Sequence, residues 1–382
     1  MKLYIFFLST MSLIVACNAP VNMPEKPKDI DQSDLPIDRL ILPEGFQIDI
    51  YADNINNARS MTLSPDGTLY VGTRGGSEVY ALKDLDSDFK VDTVFTIYED
   101  GEMPNGVAFK DGDLYVAEVS RILKFADIEN NLTDTPAPEV VFDGYPSIRH
   151  HGWKYIAFGP DGHLYVPVGA PCNICESEDP VFNSITRLKT DGSGYDVVQS
   201  GVRNTVGFTW HPVSGELWFT DNGRDWMGDD MPACELNRAS QDNMHFGYPY
   251  CHQGDTADPD FGDKRSCDEF TAPVQNLGAH VAPLGIEFYA AEMFPPEYHN
   301  NVAFIAEHGS WNRSKKSGYK LSMVRLDSTY NAIAYEDFVT GWLNENTDEA
   351  WGRPVDIEYL PDGSMLVSDD FANAIYRITY QP

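Results

Sequence analysis

Along most of the chain one pattern of apolar and polar positions returns. It is an aromatic or leucine, a few residues, a Pro-Asp-Gly or similar turn, then a Leu-Tyr-Val run of period-2 apolar positions. A glycine in the turn followed by alternating apolar residues is a hairpin signal. Copies lie at Leu63 to Val71, Phe109 to Val116, Phe158 to Val166, Trp210 to Phe219 and Tyr359 to Val367. A degenerate copy runs from Phe294 to Ile305, with Asn300-Asn301 at the turn. The first four are spaced by about 45 to 55 residues, which suits four-stranded blades that bury their faces only against neighbours. Six units predict an all-β, six-bladed β-propeller with four-stranded blades over residues 37–382, with little helix. The longest gaps, above all Asn222 to Gly285, predict long loops on a rigid scaffold, where function concentrates.

The segment ahead of the repeats follows other rules. Lys2 precedes an apolar run from Leu3 to Val15 that has the length of a signal-peptide core and is too short to span a bilayer. Residues 1–16 are therefore expected to be a lipoprotein signal peptide, because Leu13-Ile14-Val15-Ala16-Cys17 resembles a bacterial lipobox that would place lipid on Cys17. Residues 17–36, rich in Pro, Asp, Lys and Asn, read as a tether. The expectation is an exported protein, lipid-anchored at the bacterial cell envelope and facing periplasm or exterior. Its only membrane attachment would be that anchor, since no later apolar stretch reaches transmembrane length.

Composition narrows the partners. The chain of 382 residues has 59 acidic against 27 basic side chains, a formal net charge of −32. A field of that sign repels phosphate backbones, so nucleic acid is not an expected partner. It also makes clustered arginines more informative. Export sets the reading of the cysteines: Cys172 with Cys175 and Cys251 with Cys267 are expected as disulfides, and Cys234 is left over. Neither the βαβ context of a redox Cys-x-x-Cys nor two further zinc ligands accompanies Cys172 and Cys175.

No Gly-x-Ser-x-Gly elbow, His-Glu-x-x-His pair or phosphate-binding glycine loop is present, and Cys175 is followed by Glu176 rather than the histidine of a haem attachment. What remains are polar residues just before or after the repeat strands. They are Arg74, His150 and His151, Arg203-Asn204, Asn222 to Asp225, His308 to Arg313, and Arg353 to Asp356. Singly, each arginine suits a blade-locking salt bridge. Together, arginines entering from separate blades of an acidic protein suit one polyanion.

These stretches, Arg149-His150-His151-Gly152-Trp153-Lys154, Asp221-Asn222-Gly223-Arg224-Asp225-Trp226, Glu307-His308-Gly309-Ser310-Trp311-Asn312-Arg313 and Trp351-Gly352-Arg353-Pro354-Val355-Asp356, resemble the glucose/sorbosone dehydrogenase family, especially its L-sorbosone dehydrogenase-like branch. So do Val168 to Cys175 and His245 to Cys251, and the likeness runs from about Leu40 to the C-terminus. The resemblance implies a six-bladed propeller that binds pyrroloquinoline quinone (PQQ) and Ca2+ and oxidises a sugar or sugar-derived aldehyde, passing electrons to an external acceptor, a cytochrome or quinone. His151 resembles the family's catalytic base, with His150 as the adjacent rival. Arg203, Asn204 and Asn222 take the places of residues over the cofactor. Arg313 and Arg353 resemble residues gripping its carboxylates, Arg74 is a weaker carry-over, and Trp311 is a candidate to stack on the ring. Gly223 and Arg224 match residues whose main-chain carbonyls hold the calcium. A cysteine at position 234 stands where relatives commonly have an acidic residue, which weakens any second calcium near Glu235. Two other readings are a calcium-dependent propeller lactonase and a non-catalytic carbohydrate-binding lipoprotein.

Overall fold

In a computed structural model, residues 35–382 are described. The expected signal peptide and Cys17, and all but the end of the tether, lie outside them.

Six sheets account for the repeats. Blade 1 is built from Ala58–Leu63, Leu69–Thr73, Val79–Lys83 and Thr93–Tyr98. Blade 2 comprises Gly106–Lys110, Asp113–Ala117, Ile122–Phe125 and Glu139–Phe142. Blade 3 comprises Ala157–Phe158, Leu164–Val168, Ser184–Leu188 and Asp196–Ser200. Blade 4 holds Phe208–Trp210, Leu217–Asp221, Ala233–Ala239 and Gln275–Ala279, and blade 5 holds Pro283–Phe288, Val302–Glu307, Lys320–Leu326 and Ala332–Val339. Blade 6 takes Pro354–Tyr359, Met365–Asp369 and Ala374–Tyr380, and its outer strand is Phe46–Ala52 from the other end of the chain. The register Phe46↔Tyr380, Ile48↔Ile378, Ile50↔Tyr376 thus joins first strand to last.

Two details depart from the four-stranded, alternating pattern. Met244–His245 adds a parallel fifth strand to blade 3, recruited from the long Asn222-to-Gly285 insertion. The second strands do not alternate: every residue of Leu69–Thr73, Leu164–Val168, Val302–Glu307 and Met365–Asp369 is buried. Blades pack face to face, so a strand near the centre is covered on both sides, whereas the outer strand Thr93–Tyr98 keeps exposed residues on alternate positions.

Each repeat turn joins the innermost strand of a blade to its second. Gly67 sits at φ +79° in open space, so conformation and not crowding requires glycine there. The same hydrogen bonds recur at three copies, where Gly67, Gly162 and Gly363 donate to Ser64, Gly159 and Leu360. The degenerate copy lies differently: Phe294 belongs to the connection after Pro283–Phe288, and Asn300, at φ +59°, precedes the second strand. At the channel the inner strands come very close, so that a Cβ on Gly207 would lie 2.1 Å from the Leu284 carbonyl oxygen. Because the strands run antiparallel, loops entering an inner strand and loops leaving a second strand meet at the end opposite the glycine turns.

Candidate active site at the propeller's open end

Those loops surround a cavity of about 320 Å³. His151 lies ahead of the inner strand of blade 3, Arg203 and Asn204 ahead of blade 4, and Arg353 ahead of blade 6. Arg74, Asn222, Gly223 and Trp311 follow second strands. All eight line the cavity, together with Arg59, Trp153, Asp225, Cys234, His280 and His308.

Arg203 is buried, and its place is set before any ligand is considered. The main-chain N–H groups of Arg203 and Asn204 donate to Asp221 Oδ2 and Oδ1 at 2.7 and 2.6 Å, pinning this loop to the end of its neighbouring strand. The guanidinium donates through Nε to the Asn173 carbonyl at 2.9 Å and through Nη1 to the Asn222 carbonyl at 3.1 Å. Asp225 stands 3.7 Å away. Asn222 in turn donates to the carbonyls of Asn204 and Pro283 at 2.9 and 3.2 Å.

A second network comes from blades 1, 5 and 6. Arg59 pairs with Asp370 at 2.5 Å and donates to Asn105 Oδ1 at 2.7 Å, while Asp370 also faces His308 Nε2 at 2.8 Å. Burial alone would raise the Asp370 carboxyl, yet His308 and Arg59 hold it far below the usual carboxylate range. Arg353 donates to the carbonyls of His308 and Gly309 at 3.2 and 3.3 Å. Arg74 lies on the Trp153 ring, 3.6 Å from its centroid. Burial, then the charge of Arg59, pushes Arg74 down to about 10, which leaves it protonated at neutral pH. Its Nε and the Trp153 Nε1 are buried donors without a partner among the described residues. Unpartnered buried donors are costly, and beside a cavity they mark where an acceptor would be bound.

His151 sits in the left-handed region at φ +49°, with Nδ1 3.0 Å from the Ala170 carbonyl. A carbonyl only accepts, so Nδ1 carries the hydrogen and Nε2 keeps a free lone pair. Burial, followed by the charge of Arg203, holds the ring well below its ordinary pKa. The neutral base is therefore the resting form. His150, 4.1 Å away between ring centroids, is exposed and is not among the cavity-lining residues.

Two residues of the sequence-derived set point elsewhere. Arg313 donates to the Asp229 carbonyl at 3.1 Å and to Asp230 at 3.0 Å, tying together loops of blades 4 and 5 without lining the cavity. The Arg224 side chain is committed to Asp258 at 2.6 Å, inside the insertion. The main-chain carbonyls of Gly223 and Arg224 accept no hydrogen bond among the described residues. Both expected disulfides are present, and Cys234 is free and buried at the cavity wall. Sequence reasoning missed Arg59, Asn173, His280 and Asp370. Arg59 and Asp370 lie inside or beside repeat strands where a polar residue reads as a surface position, and no local pattern singles them out.

The model of the TrAA12-like family matches residues 40–381. An uncharacterised protein of Borreliella burgdorferi is 35% identical over 357 residues, covering 90% of this chain and 91% of the relative. A pyrroloquinoline quinone-dependent sugar dehydrogenase of Hypocrea jecorina is 21% identical over 326 residues, covering 71% of this chain and 73% of the relative. Among solved structures, the holo form of the pyranose dehydrogenase PQQ domain from Coprinopsis cinerea superposes with a TM-score of 0.76 at 20% identity, over 89% of this chain and 97% of the other. The chain belongs to the TrAA12-like family, whose named relatives and structural neighbours are PQQ-dependent sugar dehydrogenases.

Proposed function

We propose that the chain is a PQQ- and Ca2+-dependent sugar dehydrogenase that oxidises a sugar or sugar-derived aldehyde and hands the electrons to an external acceptor. The observation that carries this reading is the donor set of the cavity. Four arginines, Arg59, Arg74, Arg203 and Arg353, arrive from separate segments, and two buried donors lack partners. That set fits a compact polyanion, and PQQ bears three carboxylates; bidentate guanidinium contacts suit them. Gly223 and Arg224 would hold the calcium by their unpaired carbonyls, oxygen ligands of the kind this cation takes.

When bound, PQQ supplies the two-electron acceptor that the side chains cannot provide. The chain's own part is to orient and to move a proton. Trp311, 72% exposed at the cavity mouth, offers a face for a planar or sugar ring. His151 accepts the substrate hydroxyl proton at Nε2, while Nδ1–H stays bonded to Ala170 and keeps the ring aimed. The positive charge that then forms on the imidazole faces the Arg203 guanidinium, so the proton is not retained and the base is renewed between turnovers.

Attachment to the cell envelope through Cys17 belongs to the same reading. The test is to incubate the purified chain with PQQ and calcium and follow dye reduction with aldoses, sorbosone and simple aldehydes. Substrate-dependent reduction requiring both additions is expected; no bound-PQQ spectrum and no reduction would sink the proposal.

A further inference from the structure

The Cys172–Cys175 disulfide closes a loop of sequence separation 3, and Asn173 lies inside it. This one residue organises the wall around Arg203. Its main-chain carbonyl accepts from Arg203 Nε at 2.9 Å and from the Tyr248 hydroxyl at 3.4 Å. Its side-chain Oδ1 accepts from Arg203 Nη2 and from the Asp225 main-chain N–H at 3.2 Å. The Cys175 N–H donates to the Tyr248 hydroxyl at 3.1 Å, so the far end of the loop is anchored to the same tyrosine. Asn173 itself is partly buried, and its Nδ2 has no partner among the described residues.

The chemistry of these acceptors matters. An amide oxygen and a main-chain carbonyl take up guanidinium N–H groups without neutralising the charge, whereas a carboxylate in the same place would leave little field for an anion. The nearest carboxylate, Asp225, stands back at 3.7 Å. Arginine side chains lose much rotamer entropy when they are fixed, so an arginine already held in place binds an anion more tightly than one that must be ordered on binding.

We propose that Asn173 is a positioning residue that aims Arg203 into the cavity, and that the Cys172–Cys175 disulfide holds Asn173 in place to do so. The inference rests on the reading of the cavity as a PQQ site and adds that the site is sensitive to reduction. Both cysteines are only partly buried, within reach of a dithiol. In that exchange the dithiol loses two electrons and two protons to become its own disulfide, and Cys172 and Cys175 become two thiols. The loop is then free and Arg203 loses two of its three acceptor groups.

Two variants of the full chain, Asn173→Ala and Cys172→Ser/Cys175→Ser, test this, with Cys251–Cys267 left intact. PQQ affinity is measured by titration in calcium, and the Arg203 Nε–H resonance is followed by nitrogen-15 NMR without PQQ. Each variant is expected to bind PQQ about tenfold more weakly. Freeing the loop in Cys172→Ser/Cys175→Ser also removes exchange protection of that Nε–H, whereas Asn173→Ala takes away only the Oδ1 partner of Nη2 and keeps the main-chain carbonyl that protects Nε–H. In an Arg203→Ala background neither change should weaken PQQ binding by more than about twofold further, because coupled positions are not additive. Wild-type affinity in both variants, or a full tenfold loss that persists without Arg203, overturns the proposal. If the wild-type chain binds no PQQ, the functional reading fails. The NMR signal then decides the clamp alone: Nε–H protection kept in Cys172→Ser/Cys175→Ser refutes it, and protection lost there supports it.

Discussion

At the scale of single residues, the proposed function gives His151 the proton transfer and Arg353 a share of the anion binding, and each assignment can be tested. His151→Ala is expected to lower turnover by about 100-fold or more while PQQ binding stays within about twofold, read by steady-state kinetics and titration. Turnover unchanged in that variant would move the base to His150 or elsewhere. Burial and the Arg203 charge hold the His151 ring below 6.5, so it is unprotonated across neutral pH. The acid limb of kcat/KM in the PQQ-loaded enzyme should accordingly fall below pH 6.5; a limb at or above that value would show that another group is the base. Arg353→Ala should weaken PQQ about tenfold, since one charged bidentate donor is lost, with little change in the unfolding midpoint. The His150-His151 pair, from which the family resemblance singled out His151, was legible in the sequence because it sits ahead of a repeat copy. Arg59 was not, because its partner Asp370 lies 311 residues away.

At the scale of elements, the inner strands carry a cost that the outer strands do not. Glu287 and Glu358 lie on the inner strands of blades 5 and 6, at the channel, and Glu287 accepts from Thr209 Oγ1 at 2.9 Å. Burial raises Glu358 from 4.5 to about 7, and burial together with the Glu358 charge raises Glu287. The folded state therefore holds a proton on Glu358 that the unfolded chain has released between pH 4.5 and about 7. Across that window stability from this group falls as pH rises, and above it the loss is complete. Glu358→Gln removes the titration. It should leave the unfolding free energy nearly unchanged at pH 4 and raise it on the order of 2 kcal/mol at pH 8, by denaturant titration at both values. An equal gain at both would show that packing and not ionisation is responsible.

For the whole molecule, ring closure is the term that makes six blades one unit. Phe46, on the strand that completes blade 6, meets Phe294, Tyr298 and Phe338 edge-on at centroid distances of 4.9, 5.2 and 5.1 Å. Two of those partners belong to the connection within blade 5 and one to its outer strand, so the residue joins both ends of the chain to a neighbouring blade. Phe46→Ala should cost about 3 kcal/mol and lower the thermal midpoint by several degrees, since it empties a buried aromatic site at the seam. A change within about 0.5 kcal/mol would mean that the seam does not limit stability.

What the amino-acid order determined by itself is local in origin. The six turns, the blade count, the loop positions of His151, Arg203 and Arg353 and both disulfide pairs could be read because each depends on residues no more than 16 positions apart, or on their repetition. Only the tertiary structure decided the rest: that second strands are buried on both faces, that blade 3 borrows a fifth strand from the insertion, that the chain's two ends share a blade, and that Arg313 turns away while Arg59 turns in. Each of these depends on contacts across the ring between residues remote in sequence. Side-chain direction there is set by which neighbour offers an acceptor, and no local pattern encodes that.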